Sequence, residues 1–296
     1  MLCLHRRVRQ EKSMDQNEVE QLLLNIRSNW STRDTDAIRA ALTSIKFEAI
    51  AKLDEIRAKH LWILQGIFEA QTKFVSSFML CKEKKFYDGW CSLERAEIEV
   101  ASLKRHYSIN NQYALDFIEK FTTQFQTLFP YKIFMSPEFV KMVKKCSICK
   151  KQISFRNPCG HKVGEIYMGE VCGRIVENIE LAAVAIVENP VQKYSVPFIS
   201  DGNGGQRDLY DYTLIEYAVS ALASPFHVWS YTETQTWHPH DKFNRVGRND
   251  LCPCQSQPPK KYKKCCLPKP GILRPHFQFK FEETPPAGFD EFKYSY

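Results

Sequence analysis

Cysteine is the residue type with the most chemical potential in this chain, and eleven of its 296 residues are cysteines. Four of them form a C-x-C pair, Cys252 and Cys254, and a C-C pair, Cys265 and Cys266, in one basic segment. Four thiolates at the corners of a tetrahedron make a closed zinc site, because the metal keeps no open position for a substrate. The spacing therefore predicts a structural Zn²⁺ held by these four side chains.

The segment around these cysteines also resembles a known zinc-binding module. It opens with Gly-Arg-Asn-Asp-Leu-Cys-Pro-Cys at 247–254 and closes with Lys-Lys-Tyr-Lys-Lys-Cys-Cys at 260–266. Both halves are similar to the SEC-C motif known from the tail of SecA. Ten residues separate the two cysteine pairs here, and they include a Pro-Pro pair. The resemblance implies zinc at the four thiolates and a surface that docks on a chaperone or the ribosome. That surface would consist of Arg248, Lys260, Lys261, Tyr262 and Lys263.

A second set of metal-ligating residues lies in the middle of the chain. Cys146 and Cys149 form a C-x2-C knuckle, a spacing at which two thiolates meet around one metal ion. Three candidates compete for the other two positions, namely Cys159, His161 and Cys172. In one ligand set, Cys159 and His161 are the third and fourth ligands. In the alternative, Cys172, at the start of a helix predicted over 169–187, replaces one of them. The sequence thus predicts a second Zn²⁺ and leaves its ligand set open.

The elements that must position these clusters are predicted from the spacing of apolar residues. Helical periodicity with almost no glycine or proline predicts an antiparallel helical bundle over 15–136. Its apolar faces are Ile50, Leu53, Ile56, Leu61, Leu64 and Phe68; Trp90, Leu93, Ile98 and Leu103; and Tyr113, Phe117, Phe121 and Phe125. The predicted fold class is mainly α, with this bundle followed by two small zinc-binding modules.

Composition divides the chain into six predicted segments. They are a disordered extension (1–14), the helical bundle (15–136), a zinc-knuckle module similar to a treble clef, with its following helix (137–190), a connector of mixed helix and loop (191–244), the SEC-C-like module (245–268), and an extended proline- and aromatic-rich tail (269–296). The zinc-knuckle module is also predicted to contain a short helix over 138–145. Phe277, Phe279 and Phe281 alternate with polar residues, which predicts one strand or extended segment in the tail. We expect this segment to dock on the bundle or on another protein.

Positive charge is concentrated in the two cysteine-rich segments, although the whole chain has a net charge of only +7. Residues 137–175 hold eight Lys or Arg against three Glu, and residues 245–274 hold eight against one Asp. Such surfaces suit an acidic protein or a nucleic acid. No apolar run approaches the roughly 20 residues of a membrane-spanning helix. With no secretory signal, the cysteines are expected to stay reduced in the cytoplasm.

These observations favour a non-enzymatic zinc-binding adaptor that presents basic zinc modules to a protein partner. The resemblance implies that this partner is associated with chaperones, protein translocation or the ribosome. The alternative is a nucleic-acid-binding zinc protein, whose knuckle cations would neutralise phosphates. Those cations are Lys141, Lys144, Lys145, Lys150, Lys151 and Arg156. A zinc-dependent enzyme is the third class, with Glu165 or Glu170 beside the metal, but catalytic zinc needs an open position and both sites look closed.

Overall fold

The computed structural model describes residues 14–154, 156–254, 256 and 258–289. The predicted disordered extension lies outside these residues except for Met14, and so does the end of the predicted tail from residue 290. Within the described ranges, none of the helices combines the length and the hydrophobicity needed to cross a membrane.

The first part of the chain is helical. The helices are α1 (Gln16–Leu24), α2 (Ile26–Asn29), α3 (Thr35–Ala51), α4 (Glu55–Lys82), α5 (Phe86–Leu103) and α6 (Leu115–Thr127). Helix α4 is central and contacts α1, α3, α5 and α6. Its Phe68 and Phe74 are almost fully buried, as is Phe121 of α6. Burial of these aromatic rings supplies much of the hydrophobic stabilisation of this region.

The apolar face predicted from Ile50 to Phe68 is divided between two helices. Asp54 caps α4, since its side chain accepts a hydrogen bond of 3.0 Å from the backbone N–H of Arg57. Leu53 has a φ of 55°, and Leu53 and Ile56 are 81% and 86% exposed. The prediction of one continuous face was therefore wrong here. The helical spacing of apolar residues continues across the break between α3 and α4, and only the capping Asp54 marks that break.

The predicted mainly α class is wrong. The structure is 38% helical and 21% strand, and its described strands form four two-stranded antiparallel sheets. The strands are β1 (Phe134–Cys146), β2 (Ile166–Tyr167), β3 (Glu170–Val171), β4 (Arg174–Val187), β5 (Ile199–Ser200), β6 (Gln206–Arg207), β7 (Trp229–His238) and β8 (Ile272–Phe281). The sheets pair β1 with β4, β2 with β3, β5 with β6 and β7 with β8.

Two predicted helices are strands because long-range pairing outweighs local periodicity. The segment 138–145 belongs to β1, and 169–187 is occupied by β3 and β4. The register runs from Phe134 opposite Val187 to Cys146 opposite Arg174. The second segment is rich in valine and isoleucine, and the first contains Val140 and Val143; branched side chains of this kind favour a pleated strand. Short apolar runs cannot be assigned to helix or strand from one sequence, and the pairing decides.

The described residues fall into two compact units, one up to Val219 and one from Ser220 onward. The first holds α1 to α6, β1 to β6 and most of the helix α7 (Thr213–Ala221). In the second, β8 pairs with β7 along its whole length, from Trp229 opposite Phe281 to His238 opposite Ile272. The extended segment predicted in the tail is thus a strand, and its partner is a strand of the same unit that the sequence had placed in a mixed helix and loop connector.

Candidate metal centres

The first cluster has four candidate ligands whose donor atoms all lie within 4.8 Å of one another: Cys146, Cys149, Cys159 and His161. Cys146 is the last residue of β1 and is buried. The chain then turns back on itself, since the N–H of Lys150 donates to the carbonyl of Cys146 and the N–H of Cys146 donates to the carbonyl of Lys151, both at 2.9 Å. The predicted knuckle is therefore a tight turn at the end of a strand.

Hydrogen bonds in this turn favour the thiolate form of Cys146. The backbone N–H groups of Cys149 and Ile148 point at its sulfur, and the thiols of Cys149 and Cys159 add to them, which lowers the pKa of Cys146 to about 6. Burial raises the pKa of Cys172, and the neighbouring Cys146 raises it further. A metal ion would remove the proton of such a thiol, because only the thiolate is a good ligand.

His161 has the surroundings of a metal ligand. Its Nδ1 atom is buried and has no hydrogen-bond partner in the described part of the chain. The ring is held edge-on against Tyr167, with 4.7 Å between the ring centroids. Buried ring nitrogens are rarely left without a partner, so a histidine with one ring nitrogen within 4.8 Å of three sulfurs fits a metal ligand.

Cys172 lies at the same place, although it is 26 residues from Cys146 in the chain. The two sulfurs are 3.8 Å apart. Two hydrogen bonds hold this arrangement: the N–H of Gly173 donates to the Ser147 hydroxyl at 2.7 Å, and the N–H of Ser147 donates to the Gly173 carbonyl at 3.0 Å. With Zn–S bonds of about 2.3 Å, two sulfurs on one tetrahedral zinc are about 3.8 Å apart. The structure thus gathers all five candidates, and the choice of four among them stays a prediction.

The first cluster is anchored on the helical region of the same unit. His106 Nε2 lies 2.7 Å from the carbonyl oxygen of Gly164, and Lys46 forms an ion pair of 2.8 Å with Glu170. Gly169 has a φ of 73°, and a Cβ there would lie 3.0 Å from the carbonyl oxygen of Ala58 in α4. Only glycine combines this backbone conformation with so close an approach.

We expect the four mutually close donors to be the ligands of the first cluster. His161→Ala should then lower metal affinity by roughly 100-fold or more, since even residues that only support a ligand cost 10–100-fold. Cys172→Ser should leave affinity within a small factor of the wild type. Titration with Co²⁺ measures both, because the charge-transfer absorption also reports the number of sulfurs bound. The opposite order of effects would instead place Cys172 among the ligands.

The second cluster brings together the four cysteines predicted from spacing, again with sulfur atoms within 4.8 Å of one another: Cys252, Cys254, Cys265 and Cys266. The Cys254 and Cys265 sulfurs are 3.4 Å apart, and those of Cys265 and Cys266 are 3.9 Å apart. Backbone pairing places the two halves side by side: the N–H of Cys252 donates to the Lys260 carbonyl, and the N–H of Tyr262 to the Asp250 carbonyl, both at 2.8 Å.

The thiols of the second cluster differ in acidity. Burial opposes the thiolate at Cys254, but hydrogen bonds from Cys252 and Cys265, with the backbone N–H of Ser256, lower its pKa to about 6. Burial raises the pKa of Cys266 to about 12, and the three neighbouring sulfurs add to this rise. Negative charge would therefore collect first at Cys254, and a cation bound at the centre would favour ionisation of the others.

Tyr262 belongs to the core of this module. It is 4% exposed and packs with Ile272, Phe243 and Val246 around the cluster. Its hydroxyl contacts Nδ1 of His240, whose Nε2 lies 2.8 Å from the carbonyl oxygen of Lys269. The sequence predicted Tyr262 in a partner-binding surface, but this position suits it to stabilising the module. Sequence reasoning missed the support from His240, because no pattern links residues so far apart.

The four basic residues predicted to bind a partner differ in exposure. Arg248, Lys260 and Lys261 are exposed, and Lys263 is half-buried. None of the four has an ion-pair partner among the described residues. Three of them thus offer free positive charge beside the second cluster.

Comparison with known proteins yields no family for this chain. No protein-family model, no curated protein and no solved structure matches it. The resemblance of residues 247–266 to the SEC-C motif therefore stays a prediction. The described residues themselves show two cysteine-rich clusters that could each hold a metal ion.

Proposed function

We propose that the protein is a non-enzymatic zinc-binding adaptor, in which two structural zinc modules present basic surface to a protein partner. The observation that carries this proposal is the convergence of two four-donor clusters, in which seven of the eight donor residues are cysteines. Thiolate-rich sets select Zn²⁺ over hard cations such as Mg²⁺ and Ca²⁺. Four protein donors around one zinc leave no position for a substrate, which is typical of structural sites.

The sulfur separations in the second cluster are compatible with a tetrahedral metal ion such as zinc. In the second cluster, the sulfur separations of 3.4 Å between Cys254 and Cys265 and 3.9 Å between Cys265 and Cys266 are near the value of about 3.8 Å expected for two thiolates on one tetrahedral zinc. Zinc with four thiolates carries a charge of −2, which the surrounding lysines and arginines would partly offset. When bound, the ion would act as a cross-link between chain segments.

The second module would depend on such a cross-link. Its hydrophobic core consists of four buried residues, two of which are cysteines of the cluster itself: Cys252, Tyr262, Cys266 and Ile272. A core of this size supplies little stability by burial alone. We therefore expect the module to present its basic residues in one fixed arrangement only when zinc is bound.

The exposed cations beside the second cluster would form the partner surface. Arg248, Lys260 and Lys261 suit an acidic patch on another protein, because unpaired charges steer association and select partners. The resemblance to the SEC-C motif suggests a chaperone, a translocation factor or a ribosomal component. A reducing compartment such as the cytoplasm would keep the thiols available for zinc.

The nucleic-acid alternative has weaker support, because three of its six cations are engaged within the first module. Lys145 pairs with Glu177 at 2.7 Å. The ammonium of Lys150 donates to the Ser147 carbonyl at 2.6 Å, and that of Lys151 donates to Asn157 Oδ1 at 2.8 Å. A zinc enzyme also lacks support from Glu170, whose carboxylate is paired with Lys46.

The adaptor proposal predicts that partner capture depends on the basic surface. We expect the triple variant Arg248→Ala, Lys260→Ala, Lys261→Ala to keep its zinc but to bind the partner at least 10-fold more weakly, at roughly 0.5 kcal/mol per exposed charge pair. Immobilised wild-type protein would isolate the partner, and binding would then be measured at low and moderate salt.

A matched control removes three exposed lysines elsewhere, Lys52, Lys59 and Lys132, so that net charge falls equally. Equal losses in both triple variants would show that charge acts non-specifically. Tight salt-dependent binding of RNA or duplex DNA by the wild type, retained by both triple variants, would favour the nucleic-acid alternative, whose cations lie beside the first cluster.

A further inference from the structure

The antiparallel ribbon formed by β1 and β4 exposes an apolar face. The register pairs Met135 with Ile186 and Phe139 with Leu181, and a bulge near Phe139 keeps Leu181 on the side of Val184. Ile179, opposite Lys141, continues the same side. The ribbon face is defined by six side chains: Met135, Phe139, Ile179, Leu181, Val184 and Ile186.

The exposure of this face is large for a single chain. Its six side chains are between 40% and 75% exposed. Together they present roughly 600 Å² of apolar surface, at the upper end of the largest patches seen on monomeric proteins. Two such faces packed together would remove about 1,200 Å² from solvent, which reaches the size of specific protein–protein interfaces.

The sequence of the face and its place on an edge strand favour a second copy of this chain as its occupant. Residues 181–187 form an uncharged run, Leu-Ala-Ala-Val-Ala-Ile-Val, in an edge strand. Proteins usually protect such strands with charges, proline or a covering element, because they associate with copies of themselves. An apolar ribbon face can also pack on a copy of itself, since two sheets pack face to face at about 10 Å.

Charge at the two ends of the face agrees with a two-fold arrangement. Lys141 lies on the ribbon face at one end, and Glu188 directly follows β4 at the other. Both are exposed, and neither has an ion-pair partner in the part of the chain that the structure describes. A two-fold axis near Val184 would place each Lys141 beside Glu188 of the other copy.

We infer that the protein forms a symmetric homodimer through the ribbon face, with Lys141 of one copy next to Glu188 of the other. This interface lies outside the metal clusters and does not depend on the identity of the adaptor's partner. The dimer would present two copies of each zinc module, which raises the avidity for a partner with repeated sites.

Sedimentation equilibrium of the full chain tests this inference. We expect a dimer for the wild type and a dissociation constant raised roughly 100-fold or more by Leu181→Lys or Ile186→Lys, since both would bury an unpaired charge. Thr232→Lys is the matched control, because it adds a lysine to an exposed strand position of β7 and should leave the dimer intact.

A charge exchange provides the second test and needs no change to the apolar residues. Lys141→Glu and Glu188→Lys should each weaken the dimer, and the two together should restore it. Zinc content and far-UV circular dichroism equal to wild type would show that the variants fold. A wild type that stays monomeric at about 100 µM, far above the Kd of a specific interface, would overturn the inference. So would a dimer that survives both folded lysine variants.

Discussion

Replacing Cys265 and Cys266 together by serine should reduce the zinc content from two ions to one per chain and unfold the second module. A structural zinc contributes about 10–16 kcal/mol of apparent binding free energy, which is as large as the whole stability of a typical domain at about 5–15 kcal/mol. The core of this module has only four buried residues, two of them ligands. Elemental analysis would measure zinc, and limited proteolysis would show which unit has opened.

The control for this experiment is Cys91→Ser, which changes a cysteine of α5 that lies in neither cluster. It should keep two zinc ions and a protected second unit. A wild-type content of one ion or none would contradict two zinc modules. An unchanged content in the double variant would mean that the second cluster is not a zinc site, even though its sulfurs lie close together.

Trp90→Ala should lower the free energy of unfolding of the first unit by about 3–5 kcal/mol. The side chain is 4% exposed. Its ring packs against those of Tyr131 and Phe129, with centroids 5.0 and 5.2 Å away. Its indole N–H donates to the carbonyl of Lys193 at 2.7 Å. The substitution would thus leave a cavity and release the segment that Trp90 holds against α5.

Urea unfolding followed by far-UV circular dichroism would measure this loss. Trp90→Phe separates its two causes, because it keeps most of the aromatic packing and leaves the Lys193 carbonyl without this donor, at a cost of about 1–3 kcal/mol. The Tyr87 hydroxyl still donates to the neighbouring Tyr194 carbonyl at 2.7 Å in that variant. A loss below about 1 kcal/mol for Trp90→Ala would contradict a core role, since surface substitutions have effects of that size.

The metal clusters were the most predictable part of the molecule. Cys146 with Cys149, and Cys252 with Cys254, are separated by so few residues that a tight turn brings their sulfurs together in almost any fold. Helices also occupy most of the region predicted as a bundle, because long periodic segments such as 55–82 are typical of helices, but β1 already begins at Phe134. Capping by Asp15, Asp34 and Asp54 marks the beginnings of three of these helices.

The strands could not be predicted with the same ease. Residues 138–145 and 169–187 have apolar spacings compatible with a helix, so the sequence predicts helices there. The pairing of β1 with β4 joins residues up to 53 positions apart, from Phe134 to Val187. Hydrogen bonds between such distant segments leave no periodic signal in either segment alone.

The sequence by itself determined which residues can bind metal, since ligand chemistry and short spacing are local properties. Only the tertiary structure decided that Cys172 lies 3.8 Å from Cys146, that Tyr262 is a core residue, and that an apolar ribbon face is left exposed. Each of these depends on strand pairing or packing between distant segments. Such contacts depend on which distant segments pair and pack in the folded chain, whereas a cysteine knuckle needs only a few neighbouring residues.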